Sequence, residues 1–316
     1  MIVYFREHEL HTMPSHPENA GRFEGLEGLL AREEVRYPEP AGEEQVLRVH
    51  TPEHLRNIAR LSEAERWADA DTYLTRHSYR TALLAAGGAL LAAHLALEHG
   101  HAFALVRPPG HHATPGRAMG FCLLNNIAIA CAEMLARGVR RIAIIDTDVH
   151  HGNGTQEVFY SSPEVLFVSL HQHPLYPGTG MVEETGRGEG EGYTVNIPLP
   201  PGTEDGEYLD ALSLALSVVE QHSPELVLVS AGYDTAVDDP LGGMMLTTRC
   251  YAEIGRRLRR FSRVAFCLEG GYSTSALAAG VEATLAGIRG QSEEYEPRGR
   301  ARLEEVRRVL RRYWNA

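Results

Sequence analysis

The sequence predicts an α/β protein whose central, mostly parallel sheet is covered by helices on both faces. Short β-branched or apolar runs alternate along the chain with longer stretches that have helical apolar spacing, which is typical of parallel sheets with crossover helices. The predicted strands cover 102–106, 142–146, 165–171, 193–199, 226–232 and 264–270. The predicted helices cover 124–137, 208–222, 247–261 and 273–288.

Three further segments complete the prediction. The stretch 82–97 has no charged residue, but it is Ala/Gly-rich and too short to cross a bilayer, so we expect a buried packing helix. The composition of the acidic segment 183–192 predicts a flexible loop on the surface. Residues 298–313 carry apolar positions at helical spacing with arginines between them, which predicts an amphipathic helix docked on the body.

Composition excludes several classes of protein. The chain has 316 residues, 43% hydrophobic, with a net charge of −12, and all of its basic residues are arginine. The dispersed positive charge argues against general nucleic-acid binding. The first residues, MIVYFREHEL, are too short an apolar run for a signal peptide, so we expect a cytoplasmic protein with no membrane partner. Without paired CxxC spacing, Cys122, Cys131, Cys250 and Cys267 are expected to be buried free thiols.

Chemistry-bearing residues follow five of the predicted strands. The segments are RPPGHHA, DTDVHHGNG, LHQHPLYPGTG, GYDTAVDDPLGG and EGGY. In open α/β sheets, ligands bind in the crevice beyond the carboxyl ends of the strands. Five loops with His, Asp, Tyr and Gly at this edge therefore predict a functional site.

A metal site is predicted after the strand 142–146. Residues leaving a strand alternate sides, so Asp146, Asp148 and His150 can point the same way. Asp234, after a later strand, supplies a third ligand, and an Asp/His/Asp set leaves a position open for water, as catalytic zinc requires. The simpler alternative, that Asp146 and Asp148 only cap a helix or turn, explains three carboxylates near a histidine pair poorly.

Acid/base groups are predicted beside that metal. His111 and His112 follow two prolines that stiffen their loop, and imidazole suits proton transfer near neutral pH. Tyr272 follows two glycines and could donate to a developing oxyanion. In isolation, a histidine pair or a tyrosine after a strand is more often structural.

Seven ordered motifs resemble the histone deacetylase superfamily, which includes bacterial acetylpolyamine amidohydrolases and acetoin-utilisation proteins. They are HPENAGR, RPPGHHA, GFCLLNN, DTDVHHGNGTQ, VSLHQHPLYPGTG, SAGYDTAVDDPLGG and LEGGY. The resemblance covers essentially the whole chain and implies one catalytic domain, 1–316, with the three-layer arginase/deacetylase-like fold. It is closest to the class II-like branch, since Asn153 stands where other members carry Asp.

The resemblance implies roles for the site residues. One Zn²⁺ would be held by Asp148, His150 and Asp234. His112 would be the main general base and then acid, oriented by Asn153. A neutral partner stabilises imidazolium less than a carboxylate does, so we expect a lower pKa for His112. The remaining catalytic residues would be His111, paired with Asp146, and the oxyanion donor Tyr272.

The resemblance also implies a substrate tunnel and monovalent cation sites. The tunnel wall and rim would comprise Gly120, Phe121, Tyr176, Gly271 and Asp71. One K⁺ site would use the Asp146, Asp148 and His150 loop with Ser169 and Leu170. A second would lie near Phe159, Ser162, Val165 and Tyr193.

Four functions stay open. The leading one is zinc-dependent hydrolysis of the amide of N-acylated lysine or related amines, with a peptide or small-molecule substrate. The alternatives are an acetylpolyamine amidohydrolase, an arginase-like ureohydrolase with two Mn²⁺ ions, and a catalytically silent zinc-containing module that binds acyl chains. A polyamine-selective relative would carry an acidic residue at the position of Leu241, so the leucine favours acyl-lysine as the substrate. The sequence also leaves homo-oligomerisation open.

Overall fold

The computed structural model describes residues 1–315, which form one eight-stranded sheet. Its strands are β1 Ile2–Tyr4, β2 Val35–Arg36, β3 His101–Leu105, β4 Ile142–Asp146, β5 Val165–Gln172, β6 Thr194–Leu199, β7 Leu226–Ala231 and β8 Val264–Leu268. They lie in the order β2-β1-β3-β8-β7-β4-β5-β6, and every pairing is parallel. The α/β class is confirmed, and the sheet is entirely rather than mostly parallel.

Helices cover both faces of this sheet. They are α1 Glu27–Arg32, α2 Glu43–Val46, α3 Pro52–Glu63, α4 Ser78–His99, α5 Asn126–Ala136, α6 Asn153–Phe159, α7 Asp205–His222, α8 Thr248–Leu258, α9 Thr274–Ile288 and α10 Glu304–Leu310. Alternate residues of the central strands point into two separate hydrophobic clusters. Ile145 of β4 faces the cluster containing α7 to α9, whereas Ile144 faces the one containing α4 and α5. Strands buried on both faces explain their continuous apolar runs.

The longest helix, α4 with 22 residues, lies in the core. By length and composition it could cross a membrane, but 72% of its most apolar window is buried inside the protein. Gly87 and Gly88 permit its close packing, since a Cβ at Gly87 would lie 1.9 Å from the carbonyl oxygen of Glu39. The expected packing helix is confirmed. All four cysteines are buried and free, also as predicted.

The sequence prediction missed or misplaced several short elements. Strands β1 and β2 and helices α1, α2, α3 and α6 were not predicted. The C-terminal helix is shorter than the predicted 298–313, because Gly299 has φ +148 and the N–H of Ala301 donates to Asp210 instead of continuing a helix. Its apolar face is nevertheless buried as predicted.

The acidic segment 183–192 is more ordered than its composition predicts. One carboxylate oxygen of Glu184 accepts hydrogen bonds from the N–H groups of Gly180 and Met181, and the other accepts from the side chain of Gln156. Gly190 in the same segment is buried. Local side-chain hydrogen bonds to backbone therefore fix a segment that has no hydrophobic periodicity.

The carboxyl ends of four neighbouring strands lie level at one edge of the sheet. Asp146, the last residue of β4, pairs in register with Ser169 of β5 and with Ser230 of β7. Ser230 pairs in turn with Cys267 of β8. Ala104 of β3 pairs with the same Cys267, so the loops that leave β3, β4, β7 and β8 converge, as the sequence predicts for a site at this edge.

Candidate active site

Asp148, His150 and Asp234 form the centre of this crevice. One possible ligand atom from each lies within 4.8 Å of the others. The Nδ1 atom of His150 is 3.1 Å from Oδ1 of Asp148 and 3.2 Å from Oδ2 of Asp234. Both carboxylates are fully buried.

Backbone groups orient the two carboxylates. The N–H of Gly270 donates to Oδ2 of Asp148, and the N–H of Val149 donates to Oδ1 of Asp234. A Cβ at Gly270 would lie 2.0 Å from Oδ2 of Asp234 and 2.6 Å from Oδ2 of Asp148, so only glycine fits there. The loop after β8 thus packs directly against the predicted ligands.

These residues fit a divalent metal ion. Oδ2 of Asp234 is buried and accepts no hydrogen bond, and its polar neighbour is Nδ1 of His150, 3.2 Å away. Burial, and then the charge of Asp148, raise the pKa of Asp234 to about 7. A bound cation would supply the missing partner and relieve the repulsion between the carboxylates. An Asp/His/Asp set with room for water suits catalytic zinc.

The two neighbouring histidines have different partners. Nδ1 of His111 lies 3.0 Å from Oδ2 of Asp146, whereas Nδ1 of His112 lies 2.7 Å from Oδ1 of Asn153. The two imidazole rings are 4.0 Å apart between centroids and nearly inaccessible to solvent.

Their pKa values move in opposite directions. Burial alone would lower the pKa of His111, but the charges of Asp146 and Asp148 raise it to about 10. The pKa of His112 is lowered well below its usual value, mainly by burial and then by the charges of His111 and His150. One histidine therefore carries charge while its neighbour is a neutral base, which is the separation that acid/base chemistry needs.

Tyr272 follows the loop of Gly270, whose N–H donates to Asp148. Its ring packs edge-on against Phe121, 5.7 Å between centroids, and the guanidinium carbon of Arg22 lies 4.7 Å from its ring centroid. Burial raises the pKa of its phenol well above the usual value, so it carries its proton at neutral pH. A protonated hydroxyl at this position can donate to an oxyanion.

A buried charge network behind the crevice was not singled out by the sequence analysis. Arg107 donates to both carboxylate oxygens of Glu18, and Arg22 donates to the same group. Arg22 also donates to the carbonyl oxygens of Glu269 and Gly271. The network therefore ties the loop of the histidine pair to the loop of Tyr272. The only signal for it was that Glu18, Arg22 and Arg107 lie within two quoted motifs.

Glu269 is a second group whose role the sequence analysis did not predict. Its Oε2 accepts hydrogen bonds from the N–H groups of Gly110 and His111, and Ser230 donates to its Oε1. Burial raises its pKa to about 7. This carboxyl group fixes the backbone that carries the histidine pair.

The predicted tunnel residues Gly120, Phe121 and Tyr176 lie together. A Cβ at Gly120 would lie 2.5 Å from Cδ2 of His112 and 3.0 Å from Cε1 of Tyr176, so the wall passes directly over the histidine. The rings of His112 and Tyr176 are 5.2 Å apart between centroids. Phe121 itself has φ +68, and its N–H donates to the hydroxyl of Thr72.

The other two predicted substrate residues lie at the edges of the site. Asp71 precedes Thr72, and its carbonyl oxygen accepts a hydrogen bond from Nε2 of His16. Gly271 faces the interior, because its carbonyl accepts from Arg22 and a Cβ there would lie 2.9 Å from Cβ of Tyr233. Gly271 thus borders the site through its backbone.

The residues predicted for the monovalent cations also form two groups. Asp146 and Ser169 are register partners, and Ser169 and Leu170 are fully buried next to the Asp148 and His150 loop. In the second group, Ser162 donates its N–H to the carbonyl of Phe159, Val165 begins β5, and the carbonyl of Tyr193 accepts from β5. Cation binding at either group stays a prediction.

The fold and the site define a parallel α/β protein with a buried Asp/His/Asp set facing a histidine pair. The histone deacetylase domain model matches residues 16–288. A probable deacetylase of Archaeoglobus fulgidus is 42% identical, over 99% of this chain and 98% of its own length. Another, of Methanothermobacter thermautotrophicus, is 41% identical over 94% and 92%. Arabidopsis thaliana histone deacetylase 15 is 38% identical over 93% of this chain and 56% of its own length.

Structure comparison agrees with these relatives. A crystal structure of the HDA15 HD domain superposes with a TM-score of 0.92 at 35% identity, covering 98% of this chain and 94% of that one. The chain belongs to the histone deacetylase family and has the arginase/deacetylase fold. The resemblance stated from the motifs is therefore confirmed, and the named relatives support a hydrolytic deacetylase.

Proposed function

We propose that this protein is a zinc-dependent deacetylase that hydrolyses the amide of N-acetylated lysine side chains or related acylated amines. The observation that carries the proposal is the position of His112 beside the buried set Asp148, His150 and Asp234, with Tyr272 two residues after Gly270, whose N–H donates to Asp148. The rings of His112 and His150 are 5.8 Å apart between centroids, so a base stands next to the predicted ligands.

Each residue has a defined part in amide hydrolysis. Zinc held by Asp148, His150 and Asp234 would act as a Lewis acid and lower the pKa of water. Because Nδ1 of His112 is engaged by Asn153, its Nε2 takes the proton of the attacking water and later gives a proton to the leaving amine.

Two further groups act on the charges of the reaction. The hydroxyl of Tyr272 donates to the oxygen of the acyl group as it becomes negative. The protonated imidazole of His111, held by Asp146, keeps a positive charge 4.0 Å from the ring centroid of His112. That charge favours the neutral, base form of His112 before reaction.

The substrate enters along Gly120, Phe121 and Tyr176 as an extended chain. An acyl-lysine and an acetylated polyamine both present a neutral amide at the end of an alkyl chain. Leu241, which is partly buried and apolar, offers no carboxylate to a second ammonium group, which supports acyl-lysine. We place the reaction in the cytoplasm, with K⁺ as a structural ion and without nucleic-acid or membrane partners.

Acetate release from matched substrates tests this function. The zinc-loaded protein is assayed with acetyl-lysine peptides, acetylputrescine and acetylspermidine, and kcat/KM is compared. Faster turnover of the peptides supports the proposal, and a preference for the acetylated polyamines replaces it with the polyamine alternative. Two Mn²⁺ per chain with urea release would favour a ureohydrolase, and zinc binding without turnover of any substrate would favour a silent module.

A further inference from the structure

A second buried carboxylate, Asp239, lies on the loop that carries Asp234. The Asp239 residue is 7% exposed. Its Oδ2 accepts hydrogen bonds from the N–H groups of Tyr272, at 2.6 Å, and Ser273, at 3.1 Å. Its Oδ1 accepts from the N–H of Leu241 at 3.0 Å. It is not one of the three residues, Asp148, His150 and Asp234, that could hold the metal.

The backbone that Asp239 holds follows a pair of glycines. Tyr272 follows Gly270 and Gly271, and Gly271 has φ +123, a conformation that only glycine adopts readily. Helix α9 starts two residues after Tyr272, and its N-cap, Ser273, makes no side-chain capping bond. Asp239 supplies the acceptor and the negative charge that the first turn of a helix requires.

Asp239 also fixes Tyr272 relative to the predicted metal ligands. It lies five residues after Asp234 on one loop, and the N–H of Asp239 donates to the carbonyl of Ala236 within that loop. The two hydrogen bonds to Tyr272 and Ser273 therefore connect the oxyanion donor directly to the segment that presents Asp234. Hydrogen bonds from N–H groups to a charged carboxylate are stronger than hydrogen bonds between two neutral groups.

We propose that Asp239 is a positioning residue that holds the hydroxyl of Tyr272 at the place where the oxyanion develops. The inference rests on the proposed deacetylase function. Without the carboxylate, the N–H groups of Tyr272 and Ser273 lose their acceptor, and the backbone of Tyr272 is held only through the hydrogen bonds of Gly270 and Gly271 before it. A displacement of about 1 Å in a catalytic group reduces turnover strongly, and an oxyanion donor acts in the transition state rather than in substrate binding.

A role only in stabilising helix α9 would have different consequences. It would lower the thermal midpoint, Tm, without a specific loss of turnover. Its effect on kcat would also be the same whether or not Tyr272 retains its hydroxyl. Residues that act through one another instead show strongly non-additive effects in a double-mutant cycle.

The test compares the zinc-loaded wild type with Asp239→Ala, Asp239→Asn, Tyr272→Phe and the Asp239→Ala/Tyr272→Phe double variant. The exposed neighbour Asp238→Ala is the matched control. We expect Asp239→Ala to lower kcat about 10- to 100-fold, a part of the loss that removing an oxyanion donor causes, with KM and zinc content unchanged. In the Tyr272→Phe background the same change should lower kcat less than about twofold.

Three outcomes would overturn the inference. They are an unchanged kcat in Asp239→Ala, an equal loss in both backgrounds, or a loss confined to KM. If Asp239→Ala does not fold, Asp239→Asn, which keeps one acceptor oxygen, is measured in the same two backgrounds under the same criteria.

Amide hydrogen exchange tests the hydrogen bonds of Asp239 without requiring enzyme activity, so it can contradict this inference independently of the proposed function. We expect faster exchange at Tyr272 and Ser273 in Asp239→Ala but not in Asp238→Ala, and unchanged exchange would contradict the inference even if the wild type were inactive on every substrate. An inactive wild type with the expected change in exchange would instead contradict the proposed deacetylase function.

Discussion

The carboxamide oxygen of Asn153 lies 2.7 Å from Nδ1 of His112, while the adjacent His111 is held by the carboxylate of Asp146 at 3.0 Å. Two neighbouring imidazoles are thus oriented by partners of different charge. A carboxylate stabilises imidazolium more than a carboxamide does. Together with burial and the charges of His111 and His150, which lower the pKa of His112, these partners divide the pair into a charged member, His111, and a neutral base, His112.

Replacing Asn153, the neutral partner of His112, should change the pH dependence of turnover. A base works above its pKa, so raising the pKa of His112 moves the acidic limb of the profile to higher pH. We expect Asn153→Asp to shift that limb upward by about one pH unit or more in kcat/KM. Asn57→Asp, the same change at an exposed position, should leave the acidic limb of the profile at its wild-type pH. A downward shift in Asn153→Asp would contradict this assignment of the base.

Removing the hydroxyl of Tyr272 should affect turnover rather than binding. We expect Tyr272→Phe to lower kcat about 10²- to 10³-fold, as the loss of one oxyanion donor does elsewhere, with little change in KM. Tyr37→Phe, at a residue that is 75% exposed, is the control. Steady-state kinetics on an acetyl-lysine peptide measures both, and a change confined to KM would argue for a binding role of Tyr272.

The tunnel wall tolerates no side chain at Gly120. A Cβ there would lie 2.5 Å from Cδ2 of His112, and φ is +56. We expect Gly120→Ala to lower kcat/KM by at least about tenfold, because His112 must move from its working position. At Gly116 nothing lies within 4 Å of a Cβ, so Gly116→Ala should keep full activity. Equal activity of the two variants would show that the wall does not pass over the base.

Glu18 should be among the most sensitive positions for stability. Burial alone would raise its pKa, but Arg107, His11 and Arg22 hold it well below the usual value. Glu18→Gln leaves two buried guanidinium groups without a counter-charge, which we expect to lower the free energy of unfolding by about 3–5 kcal/mol.

An exposed ion pair supplies the control for that change. Glu305 and Arg308 form a bridge whose side chains are each 62% exposed, and Glu305→Gln should produce no measurable change. Denaturant titration of the two variants at neutral pH makes the comparison. A similar effect of both substitutions would show that the buried network contributes no more than a surface pair.

The contribution of Glu18 to the free energy of unfolding depends on pH, and the direction of its pKa shift gives the sign. A carboxyl group with a depressed native pKa stabilises the fold above its unfolded pKa, and this stabilisation is lost as the pH falls through the native pKa. The difference in stability between wild type and Glu18→Gln should therefore be largest near neutral pH and shrink in acid. A difference that grows in acid would contradict the assignment of Glu18 as ionised.

The strands and the predicted ligands could be read from the sequence because parallel strands are apolar throughout and polar residues begin where they end. Asp146 ends β4, and Asp148, His150 and Asp234 follow strand ends, as predicted. Short β1 and β2 could not be found, since three and two residues carry no periodicity.

The supporting groups were hidden from the sequence for another reason. Arg22 bonds to the backbone of Gly271, 249 positions away, and Asp239 bonds to the backbone of Tyr272, 33 positions away. Contacts from a side chain to a distant backbone leave no periodic pattern and no motif that separates them from surface polar residues. They became visible only when the loops after β3, β7 and β8 were placed next to each other.

Metal reconstitution decides whether deacetylation depends on a single zinc ion. The protein is stripped with a chelator and titrated with Zn²⁺, while bound metal and acetate release from an acetyl-lysine peptide are followed together, with Asp234→Ala as the variant lacking one predicted ligand. We expect activity to return in proportion to zinc and to saturate at one ion per chain, and we expect Asp234→Ala neither to bind zinc tightly nor to turn over substrate. Full activity of the stripped protein, or saturation at two ions per chain, would contradict it.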